Sequence, residues 1–424
     1  MANHQLEVAD IFRSYKQEYE NKYGRSLSRE QRKAIRAIIA CRTSELGGHR
    51  FCCDQCGHER IAYNSCRNRH CPKCQATARA VWLESRAADL LPVPYFHVVF
   101  TLPNEFGSLA LQNPRVVYGI LFRAAWETLR DVAADPKHLG ANIGILAVLH
   151  TWGQNLMHHP HVHCVVPGGG LSPCKTKWIN CKQSHRSKKH FFLPVRVLSR
   201  VFRGKFIAQL KKARQRGELK FHGQIRSLET SWAFESLIDK SVAKEWVVYC
   251  KRPFGSPEQV LKYLARYTHR VAIANSRLVD MKEGRVRFRW KNYAHNNESG
   301  TMSVTACEFM RRFLLHVLPS GFVRIWHFGF LANRVRKENL ILCRDLLGVK
   351  ALELRNVDEQ KIEDQNKESK ERKNDSELCE QYKKGVMRLV ETFEPVWKQN
   401  SMADHRRLPQ RGPPNVNNGC LNAN

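Results

Sequence analysis

Two stretches of this 424-residue chain carry residue types and spacings that could do chemistry, and a third could hold metal for structure. The first is His161-Val162-His163, inside the run His159 to Gly170. Histidines alternate there with small apolar residues before a Pro-Gly-Gly-Gly stop, the pattern of a short strand ending in a turn. Side chains two apart on a strand share a face, so His161 and His163 project together and Val162 points to the opposite side, towards a core. Two imidazoles on one face make half of a metal site. The second stretch is Pro257 to Arg270, with Gly255 and Ser256 before it as loop end and cap. Pro257 suits a first helical turn, and Val260, Leu261 and Leu264 form an apolar stripe. Tyr263 and Tyr267 stand four apart, hence on one helix face. Lys262, Arg266 and Arg270 beside them suit a negatively charged substrate.

The third group is made of cysteines. Cys53 and Cys56 form one Cys-x-x-Cys knuckle, and Cys71 and Cys74 form another, with fourteen residues between. That is close to zinc-ribbon spacing, and four thiolates closing a tetrahedron leave no position for water. The expectation is a structural zinc held by Cys53, Cys56, Cys71 and Cys74. Cys41, His49, Cys66 and His70 remain as a candidate second zinc set.

Together these stretches resemble the two-tyrosine HUH transposases of the insertion-sequence-ninety-one family. The segments that carry the resemblance are Leu149-His150-Thr151-Trp152-Gly153-Gln154, His159 to Gly170, Tyr263 to Ile273, Glu308 to Pro319, Gly321 to Ile325 and the cysteine cluster. They span residues from about 10 to 345, and their specificity is joint rather than individual. The resemblance implies rolling-circle transposition of an insertion sequence in bacterial cytoplasm, at the nucleoid when bound. It also implies nicking and rejoining of single-stranded DNA, with Tyr263 or Tyr267 as nucleophile and a 5′-phosphotyrosine as intermediate. A plasmid replication initiator or relaxase shares that chemistry. A non-catalytic zinc regulator or a metal hydrolase using a bound water would lack the protein–DNA adduct.

Elements must hold these groups in place. Val8, Ile11, Phe12, Tyr15 and Tyr19 recur at helical spacing, and Ser28-Arg29-Glu30-Gln31 has capping-box form. Leu90 to Pro94 marks a linker. Tyr95 to Leu102 reads as an apolar strand, Val116 to Ala134 as a helix, and Gly144 to Trp152 as a strand forming a hairpin with the histidine strand. That hairpin brings a third metal ligand: Gln154, with His150 and His158 as rivals. Two imidazoles plus an oxygen suit Mg²⁺ or Mn²⁺, whereas an all-histidine set tilts towards zinc. Residues 181 to 220 are crowded with Lys and Arg among phenylalanines, which suits single-stranded DNA and equally suits a helix with a solvated basic face over a phenylalanine core stripe. Arg285 to Lys291 alternates basic with apolar, so Arg287 and Arg289 can track phosphates from one strand face. Residues 355 to 384 mix acids and bases with few large apolar groups, the mark of a solvated helix or linker.

The fold class read from this order is α+β. It places a helical zinc-binding, DNA-contacting domain at 1–90 and an HUH-type domain, a central antiparallel sheet flanked by helices, at 91–345. A charged linker and flexible tail follow at 346–424. The net charge of +31, from 70 Lys and Arg against 39 Asp and Glu, calls for a polyanionic partner. DNA is the simplest; homo-oligomerisation stays open. No run of 18 apolar residues is present, so no membrane span is expected. Fifteen cysteines without an export signal point to a reducing, cytoplasmic compartment.

Overall fold

The structure is a computed structural model that describes residues 5–75, 89–182, 192–251, 259–260, 272–292, 298–349 and 378–396. It divides into two compact units, Met1–Ile39 with Arg67–Asn366 and Ala40–Cys66 with Lys367–Asn424. These are not the linear divisions expected at residues 90 and 345. The N-terminal helices Val8–Tyr23 and Arg29–Ala40 show why. Their apolar stripe is buried within the first unit against the helix Ala306–Leu314, with Phe12 edge-on to Phe313 at 5.3 Å and Gln31 donating to the Leu314 carbonyl. An amphipathic helix is stabilised chiefly by the face it packs against, whatever its distance in sequence. The capping box forms as read: Gln31 N–H donates to the Ser28 hydroxyl, and Ser28 N–H to the Gln31 amide oxygen.

In the second unit, β1 (Gly48–Cys53) pairs antiparallel with β2 (Glu59–Tyr63). In the first unit come β3 (Tyr95–Thr101), β4 (Gly144–Trp152) and β5 (His158–Pro167), then a two-stranded ribbon of β6 (Gly169–Leu171) and β7 (Trp178–Asn180), then β8 (Val248–Lys251). β9 (Leu278–Lys282), β10 (Arg285–Asn292) and β11 (Glu298–Thr305) form a three-stranded antiparallel sheet. β12 (Ile325–Gly329) completes the main sheet of the first unit, whose order is β12-β4-β5-β3-β8, antiparallel throughout. β13 (Met387–Phe393) pairs with the other edge of β1. It lies within 346–424, the region expected to hold only charged linker and tail, and β1 supplies its backbone hydrogen-bond partners.

The five-stranded sheet is buried on one face by the helices Pro114–Ala134 and Val195–Gln215. Register explains which residues go there. Val162 opposes Phe100 on β3 and Leu149 on β4, and all three are fully buried in the main core. Phe202 of the basic helix reaches Phe100 at 4.9 Å, so the phenylalanines of residues 192–206 are core as well as neighbours of arginines. Burying one such valine contributes about 1.5–3 kcal/mol. On the opposite face, Leu146 opposes Val165, and both join a second cluster with Tyr95, Trp178, Phe330, Leu340 and Val260. His163 is two residues from Val165 and therefore lies on this second face.

Candidate metal centre

Register places His161 opposite His150 and His163 opposite Val148, so β4 and β5 bring three imidazoles to one face. The ligand nitrogens of His150, His161 and His163 lie within 4.8 Å of one another. His150 and His163 are buried at 2% and 8% exposure, while His161 is half-buried and opens the site to solvent. The expected common projection of His161 and His163, with Val162 turned to the core, is what the sheet provides.

Hydrogen bonds set the rings. His161 Nδ1 stands 2.6 Å from the His159 carbonyl, which can only accept, so Nδ1 carries the proton and Nε2 the ligand lone pair. His97 of β3 places Nε2 at 2.8 Å from His163 Nδ1, with the rings stacked at 5.0 Å. His97 was not singled out from the sequence. Its signal is a lone imidazole in an otherwise apolar strand, two residues from the partner of His163.

Of the three rivals for the third ligand place, His150 is the one grouped with the pair. His158 is turned to Tyr118, whose hydroxyl lies 2.8 Å from Nε2, and burial with His316 and His159 nearby lowers its pKa to about 3. Gln154 sits in the turn of the hairpin, and its backbone carbonyl accepts from Arg277 at 2.6 Å. The next two carbonyls of that turn are gripped likewise: Asn155 by Arg312 at 3.1 Å and Leu156 by His316 Nε2 at 3.0 Å. Leu156 has φ of 62°, a conformation that costs a branched residue energy and that these donors help to hold. His316 donates from Nε2, so its Nδ1 accepts from the Thr151 hydroxyl at 3.2 Å, and burial lowers its pKa to about 4. His316 lies just past the end of the helix Ala306–Leu314.

Tyr263, Tyr267, Lys262, Arg266 and Arg270 lie outside the described residues. Gln259 and Val260, at the start of the same segment, are described and helical, and Val260 is 1% exposed in the cluster with Leu146 and Val165. The chain three residues before Tyr263 is thus packed on the sheet face that carries the imidazoles.

Arg287 and Arg289 stand on the exposed side of β10. Arg287 is forked onto Asp280, Nε to Oδ1 at 2.7 Å with Nη2 on Oδ2, a pairing that lowers the Asp280 pKa. A phosphate must therefore compete with Asp280 there.

The cysteines group differently from their spacing. In the second unit, the sulfurs of Cys53, Cys56 and Cys379 lie within 4.8 Å of one another, and those of Cys41 and Cys66 make a second pair at that range. In the first unit, Cys71 and Cys74 pair likewise. The thiol that joins the Cys53–Cys56 knuckle is Cys379, brought in by β13 pairing with β1, rather than the expected second knuckle. A Cys-x-x-Cys motif identifies a knuckle but not its partner. His49 faces Thr392, with Nδ1 to Oγ1 at 3.1 Å, and burial together with Arg69, Arg324 and His316 lowers the His70 pKa to about 3.

Residues 144–339 match the family described as "Putative transposase", and residues 11–102 match the "Transposase zinc-binding domain". A relative from Sinorhizobium fredii, "Putative transposase y4qJ", is 58% identical over 82% of this chain and 86% of its own length. "Transposase for insertion sequence element IS801" of Pseudomonas savastanoi pv. phaseolicola is 29% identical over 71% of this chain and 70% of its own. No solved structure matches. Among the described residues no helix is long and apolar enough to cross a membrane. The cysteine groups and the matched zinc-binding domain support structural zinc. The chain belongs to the insertion-sequence-ninety-one family of transposases.

Proposed function

We propose that this transposase nicks and rejoins single-stranded DNA by an HUH mechanism, as rolling-circle transposition requires, in the cytoplasm at the nucleoid. Tyr263 or Tyr267 attacks a backbone phosphorus, the bond to the 3′ oxygen breaks, and a 5′-phosphotyrosine and a 3′-hydroxyl result. The phenol proton ends on the departing 3′ oxygen, and reversal with another strand's 3′-hydroxyl rejoins DNA without nucleotide hydrolysis. His150, His161 and His163 hold a divalent ion, with Gln154 kept in the hairpin turn. Bound there, such an ion orients the scissile phosphate and offsets its developing charge. Three imidazoles fit Mn²⁺ better than Mg²⁺ and admit zinc as a competitor. Lys262, Arg266, Arg270 and Arg289 contact phosphates, and Arg287 does so by exchanging Asp280 for DNA.

One observation carries the proposal. Val260, three positions before Tyr263 in the sequence, shares a sheet face with the imidazoles. The test is a labelled single-stranded oligonucleotide bearing the element's terminus, incubated with Mn²⁺ or Mg²⁺. A denaturation-resistant protein–DNA band is expected with the natural chain and none with Tyr263→Phe/Tyr267→Phe. An adduct in the double variant refutes the tyrosine assignment. Product without adduct in the natural chain indicates water as nucleophile instead.

A further inference from the structure

The geometry of the second unit points to a metal ion held by Cys53, Cys56 and Cys379, a site that joins the start of the chain to its far end. The matched zinc-binding segment stops at residue 102, so Cys379 lies well outside it. The three sulfurs lie within 4.8 Å, and Cys56 Sγ and Cys379 Sγ are 3.6 Å apart across 323 positions of sequence. That convergence is built by the backbone. Cys379 N–H donates to the Gly385 carbonyl and Lys383 N–H to the Cys379 carbonyl, both at 2.7 Å, closing a tight turn. Asp54 fastens the turn to the knuckle: its N–H donates to the Val386 carbonyl at 3.0 Å, and its carboxylate accepts from Val386 N–H at 2.9 Å. A Cβ at Gly385 would run into the Cys53 sulfur, so the turn approaches as closely as only glycine permits.

Each sulfur is also met by backbone donors. Cys379 accepts from Tyr382 N–H at 3.4 Å, Cys53 from the N–H groups of Gln55 and Cys56, and Cys56 from that of His58. Three sulfurs converging within 4.8 Å match the donor set of a single metal ion. A disulfide could join two and would strand the third. Sulfur donors select zinc and similar soft or borderline ions over magnesium or calcium. The triad supplies three corners of a tetrahedron. Tyr382, half exposed, stands three residues after Cys379, where the second sulfur of another knuckle would be.

Zinc per chain, measured by elemental analysis on the full-length protein purified under reducing conditions, tests the site. Cys379→Ser is expected to lose about one equivalent relative to the natural chain while keeping the rest. An unchanged zinc count in the folded variant overturns the proposal, and so does a Cys56–Cys379 disulfide in the natural chain. Should Cys379→Ser not fold, Tyr382→Cys decides. A fourth thiolate on the same ion slows zinc release to a colorimetric chelator and strengthens the sulfur-to-metal absorption of the cobalt form. Release and absorption identical to the natural chain would equally overturn it.

Discussion

The imidazole group and the cysteine triad are both convergent ligand sets, and they are built in opposite ways. The imidazoles come from neighbouring strands whose register fixes them, with a full hydrophobic core behind Val162. Imidazoles ligate in their neutral form, and neutral rings can be assembled without an ion at little Coulomb cost. The triad comes from distant parts of the chain and, among the described residues, is backed by Met387 and partly buried Phe51. The difference teaches where a ligand set needs something at its closure and where strand register alone assembles it. Strand register can preorganise a site; a contact that closes a loop of hundreds of residues needs something at the closure to offset its entropy.

Chelation is the harshest way to break that comparison. Stripping metal with a strong chelator should release amide protection in β1 and β13 nearly completely, since structural zinc contributes on the order of 10 kcal/mol to such small units. Protection in β3, β4 and β5 should persist. Hydrogen exchange read by mass spectrometry separates the outcomes, and parallel loss in both sheets would show that the imidazole sheet also depends on its ion.

Adjacent residues of β5 sharpen the contrast. His161→Ala should lower adduct formation by about a hundred- to a thousandfold with small change in stability, by analogy with removing one charge-stabilising group from an active site. Val162→Ala should do the reverse, costing about 1–3 kcal/mol through lost burial and a residual cavity, with cleavage intact in the folded fraction. Denaturant titrations alongside oligonucleotide cleavage read both. Equal stability losses would mean that the alternation of function and core on this strand is wrong.

This alternation was legible in the sequence because a strand has period two and β4 and β5 are joined by a short turn. Local signals of the same kind gave the Ser28–Gln31 capping box and the hairpin. The illegible parts depend on long-range pairing. Nothing near Cys379 announces that β13 will lie beside β1, because β13 is exposed and weakly apolar, with Leu389 and Val390 more than half exposed. Arg277, Arg312 and His316 are equally silent in sequence: each is bound to the hairpin turn only because remote elements pack there. The third ligand place stayed open for a related reason, since only the pairing of His150 with His161 distinguishes it from His158.

His97 gives a finer test of preorganisation. If its hydrogen bond keeps His163 turned for coordination, His97→Leu should weaken Mn²⁺ binding by about 10- to 100-fold, and His97→Gln, which keeps an acceptor, should recover much of the loss. Titration calorimetry or electron paramagnetic resonance of bound Mn²⁺ measures this without reference to cleavage. Equal affinity in both variants and the natural chain would mean that strand pairing alone orients the ring.

The smallest expected effect lies one step farther out. Glu308 forks onto Arg311 at 2.6 and 2.9 Å and reaches Arg312 at 2.7 Å, and Arg312 in turn donates to the Asn155 carbonyl. The Arg311 hydrogen bonds, with help from Arg312, lower the Glu308 pKa to about 2, against burial, which works the other way. A depressed carboxyl pKa stabilises the fold fully above its unfolded value near 4.5 and loses that contribution as pH falls through about 2. The group is partly solvated, so screening reduces the benefit to about 1 kcal/mol. Glu308→Gln should therefore cost about that much at pH 7, with the gap between variant and natural chain narrowing as the pH drops below 4.5. Thermal or urea unfolding across that range checks the sign. A gap that widens on acidification would mean that the arginines, not the carboxylate, bear the cost of holding the turn.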